Sequence, residues 1–263
     1  MHCKNCNNSL RDTQKFCDEC GAKVIQNRLK PKVLVQQVNE QFISIDNKFL
    51  RTFIDLFKQP EIVIVGYING TRKKYIDVLQ YFAISLTLAG IQVFFMTTLF
   101  KESMDFGAGF NEGFNASLAT QENPLKDFDF NNILNFQGLI YIVTIPFYAL
   151  STWLAYYILK QRIYNFTEHL VLNLYFSAQT IIITSVFSIL FLCFGLDYVI
   201  VSTVLTIPFF VYLFYVLKRV FKNGFWETVA ESLLVLVFYA LTMIVFIIFG
   251  GLLAFLYLYV THK

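Results

Sequence analysis

The hydrophobic pattern of the chain is dominated by five long stretches without Asp, Glu, Lys or Arg. They extend over residues 78–100, 130–159, 169–196, 198–217 and 232–262. A helix that crosses the roughly 30 Å hydrocarbon core of a bilayer needs about 20 apolar residues, and each stretch is long enough. The pattern predicts an all-α membrane protein with five transmembrane helices, at about 76–100, 138–159, 170–195, 198–217 and 232–260.

Ahead of the first span, residues 33–58 show apolar positions at helical spacing, among them Phe49, Phe53 and Phe57. Pro60 is suited to begin a further short helix, and Thr71 could cap the first span. Two interpretations of the 33–58 segment stay open. It is an amphipathic helix on the inner leaflet, or it packs against the cytoplasmic ends of the bundle.

Composition supports a membrane class and charge predicts an orientation. Hydrophobic residues make up 56% of the chain and charged residues 15%, against about 25% charged in soluble domains. Eighteen of the 21 Lys and Arg lie before the first span or in loops 160–169 and 218–230. Positive segments stay inside, which predicts an inner (plasma) membrane protein with a cytoplasmic N-terminus and an external C-terminus. Arg72, Lys73 and Lys74 are predicted to anchor the chain at the lipid headgroups of the bilayer.

Four cysteines near the N-terminus, Cys3, Cys6, Cys17 and Cys20, have the spacing C-x2-C-x10-C-x2-C. Two C-x2-C turns can direct four thiolates at one ion, which is the tetrahedral set that Zn²⁺ prefers. The cytosol disfavours disulfides as the alternative. Four thiolates leave no position for water or substrate, so the sequence predicts a structural Zn²⁺, with His2 as a bystander.

The spans contain a second pattern, an internal repeat. The sequence Thr-Ile-Pro-Phe occurs at residues 144–147 and again at 206–209, each time followed by an aromatic half-helix and a short basic loop. The predicted architecture is one leading span plus two repeated hairpins. Pro146 and Pro208 each remove a helical hydrogen bond and are candidate kinks in their spans.

These patterns divide the chain into a zinc ribbon at 1–25, a cytoplasmic linker with amphipathic helices at 26–74, and a transmembrane bundle at 75–261. Catalytic motifs are missing from the sequence, and Glu168-His169 at a span start suits a helix cap or a headgroup contact better than an acid–base pair. Residues 1–45 hold seven Lys and Arg against four acids, too weak an excess to favour nucleic acid.

Several segments also resemble a bacterial family of membrane proteins of unknown function that is common in Bacteroidetes. The segments that carry the resemblance are the Cys3–Gly21 ribbon, Phe49-Leu50-Arg51-Thr52-Phe53, Lys58-Gln59-Pro60-Glu61, Gly66–Tyr75 and Thr167-Glu168-His169. The resemblance implies an inner-membrane location and implies no activity.

The sequence therefore predicts a non-enzymatic inner-membrane protein whose zinc ribbon binds a cytoplasmic protein partner or regulates the bundle. The alternative is a passive transporter or channel for small solutes, built from the repeated hairpins. The sequence contains no signal for an oligomeric state.

Overall fold

A computed structural model describes residues 1–24, 48–99, 135–195 and 198–261. The chain divides into two compact units, Met1–Asn47 and Lys48–Lys263. The described part of the first unit has two isolated antiparallel bridges, His2 with Ser9 and Phe16 with Lys23. Its small core consists of Cys3, Leu10 and Cys17.

The second unit is helical throughout its described elements. They are α1 (48–58), α2 (Pro60–Ile68), α3 (Val78–Thr98), α4 (Gln137–Ile158), α5 (Phe166–Cys193), α6 (Tyr198–Phe221) and α7 (Phe225–Thr261). Five segments are long and apolar enough to cross a membrane, namely α3, α4, α5, residues 203–221 of α6 and residues 225–248 of α7. The predicted all-α membrane fold with five spans is confirmed for the part of the chain that the structure describes.

The last four helices form a ring. Helix α4 packs against α5 and α7, and α6 packs against the same two helices from the opposite side. Helix α3 lies outside the ring, packed mainly on α5. Many apolar side chains on the outer faces are exposed, for example Ile207 and Val245. That distribution suits a lipid solvent, which leaves no reason to bury them.

Local sequence accounts for the ends of these helices. The Asp77 side chain accepts from the Leu79 backbone N–H at 3.0 Å and caps α3. Asn165 and Glu168 form a reciprocal capping box at the start of α5. The predicted cap at Thr71 is wrong, because residues 71–77 are not helical and Asp77 takes that role.

The ends of α4 and α6 both turn through a lysine with a left-handed backbone. Lys160 and Lys222 have φ of 59°, a conformation in which a side chain costs about 1–2 kcal/mol. After Lys160 the Gln161 N–H bonds the Tyr156 carbonyl at 3.0 Å, which closes the α4 end as a Schellman motif. The two hairpins α4–α5 and α6–α7 therefore share a turn device, while their origin as a repeat stays a prediction.

The described half of the segment predicted to be amphipathic is α1, which packs into the bundle. Thr52 and Leu56 are buried, and Gln179 of α5 donates to the Phe53 carbonyl at 3.2 Å. Tyr212 and Tyr215 of α6 donate to the carbonyls of residues 56 and 58, at 3.1 and 2.8 Å. These bonds satisfy the last carbonyls of α1, which no later helical residue could reach. Residues 33–47 lie outside the described part.

A second set of contacts joins α1 to the start of α3. Thr52 accepts from the Ile76 N–H at 3.1 Å, and the Tyr75 hydroxyl donates to Asp55 at 2.9 Å. Tyr175 of α5 donates to the Ile76 carbonyl at 2.8 Å. Ile76, which is buried in the non-helical link before α3, thus has both backbone polar groups bonded within the protein, as buried backbone requires.

The carboxylate of Glu231 on α7 joins the two hairpins. It is 2% exposed and accepts from the Tyr156 hydroxyl at 2.9 Å and the Gln161 amide at 3.0 Å. The Asn223 amide donates to both Glu231 and Gln161. Tyr156 and Gln161 belong to the first hairpin, and Asn223 and Glu231 to the second. The carboxylate is therefore a polar clamp between them.

Replacing Glu231 by Leu should destabilise the bundle. The change removes the acceptor of three donors, and the Tyr156 hydroxyl among them is buried, where an unsatisfied donor costs about 1–3 kcal/mol. We expect the variant to unfold at a clearly lower temperature than the wild type in a detergent melting experiment. Glu231→Gln keeps one carbonyl acceptor and should fall between the two. An unchanged melting temperature for Glu231→Leu would show that the clamp contributes nothing.

Candidate metal centre and membrane cavity

The four predicted cysteines come together in the first unit. Their sulfurs all lie within 4.8 Å of one another, and two pairs, Cys3 with Cys20 and Cys6 with Cys17, are 3.6 Å apart. A disulfide needs about 2.05 Å. Thiolates around a tetrahedral ion at about 2.3 Å stand roughly 3.8 Å from each other. The spacing therefore fits a metal site and does not fit disulfides.

Two matching turns build this site. The Asn7 and Gly21 backbone N–H groups donate to the carbonyls of Cys3 and Cys17, each at 2.9 Å. The N–H groups of the same two cysteines donate to the carbonyls of residues 8 and 22, each at 2.8 Å. Each pair of cysteines is thus held in an identical hydrogen-bonded loop, 14 residues apart.

Each turn is completed by a residue with positive φ. Gly21 has φ of 68°, as glycine allows without cost, and Asn7 has φ of 60° at the equivalent place. Asparagine is one of the few other residues that tolerates this conformation. The role of Asn7 was not predicted from the sequence. The signal was its position, four residues after Cys3 as Gly21 is four after Cys17.

The electrostatics of the turns favour bound thiolates. The Asn5 side chain and the Ala22 N–H stabilise the Cys20 thiolate and lower its pKa to about 6. At Cys6 the Asn8 N–H lowers the pKa, but the three neighbouring sulfurs and burial outweigh it and raise the pKa to about 12. Four close thiols therefore cannot all ionise by themselves, and a bound cation removes that obstacle.

The donor set is complete without other side chains. The His2 Nδ1 lies 3.2 Å from the Asn7 carbonyl, and His2 is not part of the cluster. The fifth cysteine, Cys193, ends α5 and is exposed there. Four sulfurs around one ion leave no open coordination position, so the site suits a folding role.

A separate feature of the second unit is a cavity of 420 Å³ inside the ring of α4–α7. All four helices line it, and no Asp, Glu, Lys or Arg is among the lining side chains. Its polar groups are hydroxyls and one amide, including Ser177, Thr180 and Thr184 at successive turns of α5. The volume is within the usual range for small-molecule sites.

Both Thr-Ile-Pro-Phe segments reach this cavity. Thr144 and Ile145 line it from α4, and Thr206 and Phe209 line it from α6. Pro146 and Pro208 are inside their helices, next to these lining residues. The two candidate kinks therefore belong to opposite walls of one cavity, a placement that the sequence did not predict.

The end of the cavity nearest the α4–α5 turn, called its inner end below, contains a polar cluster. The Asn173 amide donates to the Thr152 hydroxyl at 2.9 Å, and the His169 Nδ1 lies 3.2 Å from the same hydroxyl. On the far side of His169 is a second pocket, of 360 Å³, bounded by the α4–α5 loop. His169 is 1% exposed and does not pair with Glu168, which caps α5. The cluster separates the two spaces.

The predicted anchoring residues are exposed, and two of them stack on aromatic rings. The Arg72 guanidinium lies 3.7 Å from the centroid of the Tyr67 ring and donates to the Tyr67 carbonyl at 2.7 Å. The Lys74 ammonium lies 5.0 Å from the centroid of the Tyr75 ring. Lys73 is exposed beside them. Two of the three cations thus fix the link between α2 and α3, while headgroup contact stays a prediction.

Comparison with known families locates two similarities. Residues 2–24 match the zinc-ribbon domain family. Residues 46–90 match a family described as a protein of unknown function (DUF3667), over α1, α2 and the first half of α3. No curated protein and no solved structure matches the chain. The N-terminal unit is accordingly similar to zinc ribbons, and the first helices of the bundle are similar to a family without a known role.

Removing two of the four sulfurs should abolish metal binding. In the full-length protein we expect about one metal ion per chain, and none in a Cys17→Ala, Cys20→Ala variant. Because so small a core depends on its ion, trypsin should then cleave readily after Lys15. Cys193→Ala is the matched control and should keep both metal and protection. A double variant that keeps its metal would exclude these sulfurs as the ligands.

Proposed function

We propose that this chain is a non-enzymatic, multi-pass inner-membrane protein whose N-terminal ribbon is a cytoplasmic module for binding or regulating another protein. The observation that carries the proposal is the closed set of four sulfurs. A site with no open position supports neither hydrolysis nor transfer chemistry. Its ion is Zn²⁺ in a structural role, since zinc favours four thiolates in tetrahedral geometry.

The surface of the ribbon supports a protein partner. Phe16 is 57% exposed and Met1 44% exposed, so the unit presents apolar surface that a protein partner could cover. The surrounding charges are mixed, with four Lys or Arg against three acids in residues 1–24. Nucleic acid would instead require a basic surface with stacking aromatics.

Charge and redox chemistry support the proposed side of the membrane. The α4–α5 turn holds Lys160 and Arg162, and the last turn of α6 with the residue after it holds Lys218, Arg219 and Lys222, whereas residues 101–138 are acidic in sequence. Basic loops stay on the cytoplasmic side. Thiolate sites also persist in a reducing compartment. Both arguments support a cytoplasmic ribbon and an inner (plasma) membrane location.

A pull-down from native membranes tests the proposed module. Wild type, the Cys17→Ala, Cys20→Ala variant and Phe16→Ala would be compared by mass spectrometry, with zinc measured on each. We expect protein partners to disappear with zinc in the double variant. Phe16→Ala should keep zinc and lose partners, because only the exposed contact is removed. If the partners of all three proteins are the same, the ribbon is a fold element only.

A passive conduit for small uncharged solutes is the second candidate. The supporting observation is that both proline segments line the ring cavity, with the Thr152, His169 and Asn173 cluster between it and the pocket at the loops. Prolines in spans can mark helices that move. Uncharged walls are consistent with passive passage and unsuited to ion-coupled pumping.

Solute flux in proteoliposomes tests the conduit. The second candidate predicts glycerol or urea uptake above that of empty liposomes, and a several-fold loss in Pro146→Ala and in Pro208→Ala. Pro60→Ala is the matched control, because Pro60 begins α2 and does not line the cavity. Stopped-flow light scattering measures the rate. No flux of any tested uncharged solute would reject the conduit.

A further inference from the structure

The ring cavity has a defined length and a polar inner end. On α5 it extends from Asn173 to Thr184, which is about 16 Å along a helix. Its inner end holds the Asn173 amide, the Thr152 hydroxyl and the stacked rings of Tyr148 and Tyr239. Most of the remaining wall is apolar, with Ile145, Phe176, Ile181, Phe209, Leu213 and Val235 among its side chains.

Two polar groups at the inner end have hydrogen-bonding capacity left over. Asn173 uses its amide nitrogen on Thr152 and on the His169 carbonyl. No donor among the described residues reaches its Oδ1, so one acceptor remains. The Tyr239 hydroxyl donates to the Tyr148 hydroxyl at 2.9 Å, so the Tyr148 O–H remains as a donor. A donor and an acceptor that line the same cavity are together the complement of a hydroxyl group.

Charge restricts the ligand further. Formal charges are missing from the lining, and a charged headgroup would have to leave water without a counterion. A neutral hydroxyl can replace its water hydrogen bonds with those of Asn173 and Tyr148. The apolar walls then accommodate a hydrocarbon body.

The cavity also reaches the outer face of the bundle. Phe210 lines it and is 50% exposed, between Ile207 at 70% and Val211 at 63% exposed. These exposed apolar residues belong to a helix that spans the membrane. A ligand could thus enter sideways from the hydrocarbon of the bilayer, without crossing water.

We propose that the cavity between α4, α5, α6 and α7 binds an uncharged, single-chain lipid with a hydroxyl head, which Asn173 and Tyr148 hold at the inner end. The proposal is independent of the ribbon. It does not require flux, so a protein that binds such a lipid and conducts nothing satisfies it while the conduit fails.

Photolabelling of the full-length protein in nanodiscs tests the proposal. The probes are a twelve-carbon alcohol with a diazirine in its chain and the carboxylic acid of the same chain. We expect saturable labelling by the alcohol at residues that line the cavity on α5 and α6. Excess dodecanol should compete, and dodecanoate and dodecane should not. Peptide mass spectrometry locates the label.

Variants separate recognition from general lipid contact. Asn173→Leu and Tyr148→Phe should each weaken apparent affinity for the alcohol about tenfold, the effect of roughly one lost hydrogen bond. Leu213→Trp should block labelling by filling the cavity while both polar groups remain. Tyr157→Phe and Asn69→Leu make the same chemical changes at exposed positions away from the cavity and should label normally. Melting temperatures show which variants are folded.

Three results would overturn the proposal. The acid probe could label the same residues as strongly as the alcohol. The label could be spread evenly over the lipid-facing surface. Folded Leu213→Trp protein could label like the wild type, which would place the probe elsewhere.

Discussion

Glu231 brings a carboxylate into the end of a membrane bundle, where protein groups must replace most of its water. Three donors surround it, from Tyr156, Gln161 and Asn223. They come from two different hairpins, so the carboxylate can be satisfied only when the hairpins stand side by side. The left-handed turns at Lys160 and Lys222 place Gln161 and Asn223 directly after the helices. Local backbone strain at two lysines is thereby coupled to the pairing of the hairpins.

Aromatic stacking continues this junction into the ring. Tyr156 stacks on Phe221 with ring centroids 3.6 Å apart, and Tyr148 stacks on Tyr239 at 4.4 Å. Beyond the Tyr148–Tyr239 contact, the four helices of the ring stand apart and enclose the cavity. The helices are thus in contact at the Glu231 clamp and the stacked rings. They are separated around the cavity, where hydroxyls and apolar side chains line the walls. A site for a neutral ligand can exist in that separation without cost to the clamp.

Much of this architecture could be predicted from the sequence because its signals are local. Charge-free length gave the five spans, and the cysteine spacing gave the metal ligands. The clamp was out of reach, since Tyr156 and Glu231 are 75 residues apart and nothing local marks either as a partner. Similarly, α1 had an amphipathic pattern that suited a membrane surface as well as a protein surface. Its contacts with Gln179, Tyr212 and Tyr215 show that it packs on the bundle.

The scarcity of charged residues within the spans also affects which ligands the cavity can bind. It argues against ion-coupled pumping, because such proteins carry ionisable groups in the membrane. An uncharged cavity also disfavours charged ligands, because a ligand with a formal charge loses hydration that the walls cannot replace. The His169 Nδ1 lies 3.2 Å from the Thr152 hydroxyl, to which the Asn173 amide also donates. The chemistry offered to a ligand is therefore that of hydroxyls and one amide, which separates neutral lipids and polyols from fatty acids and ions.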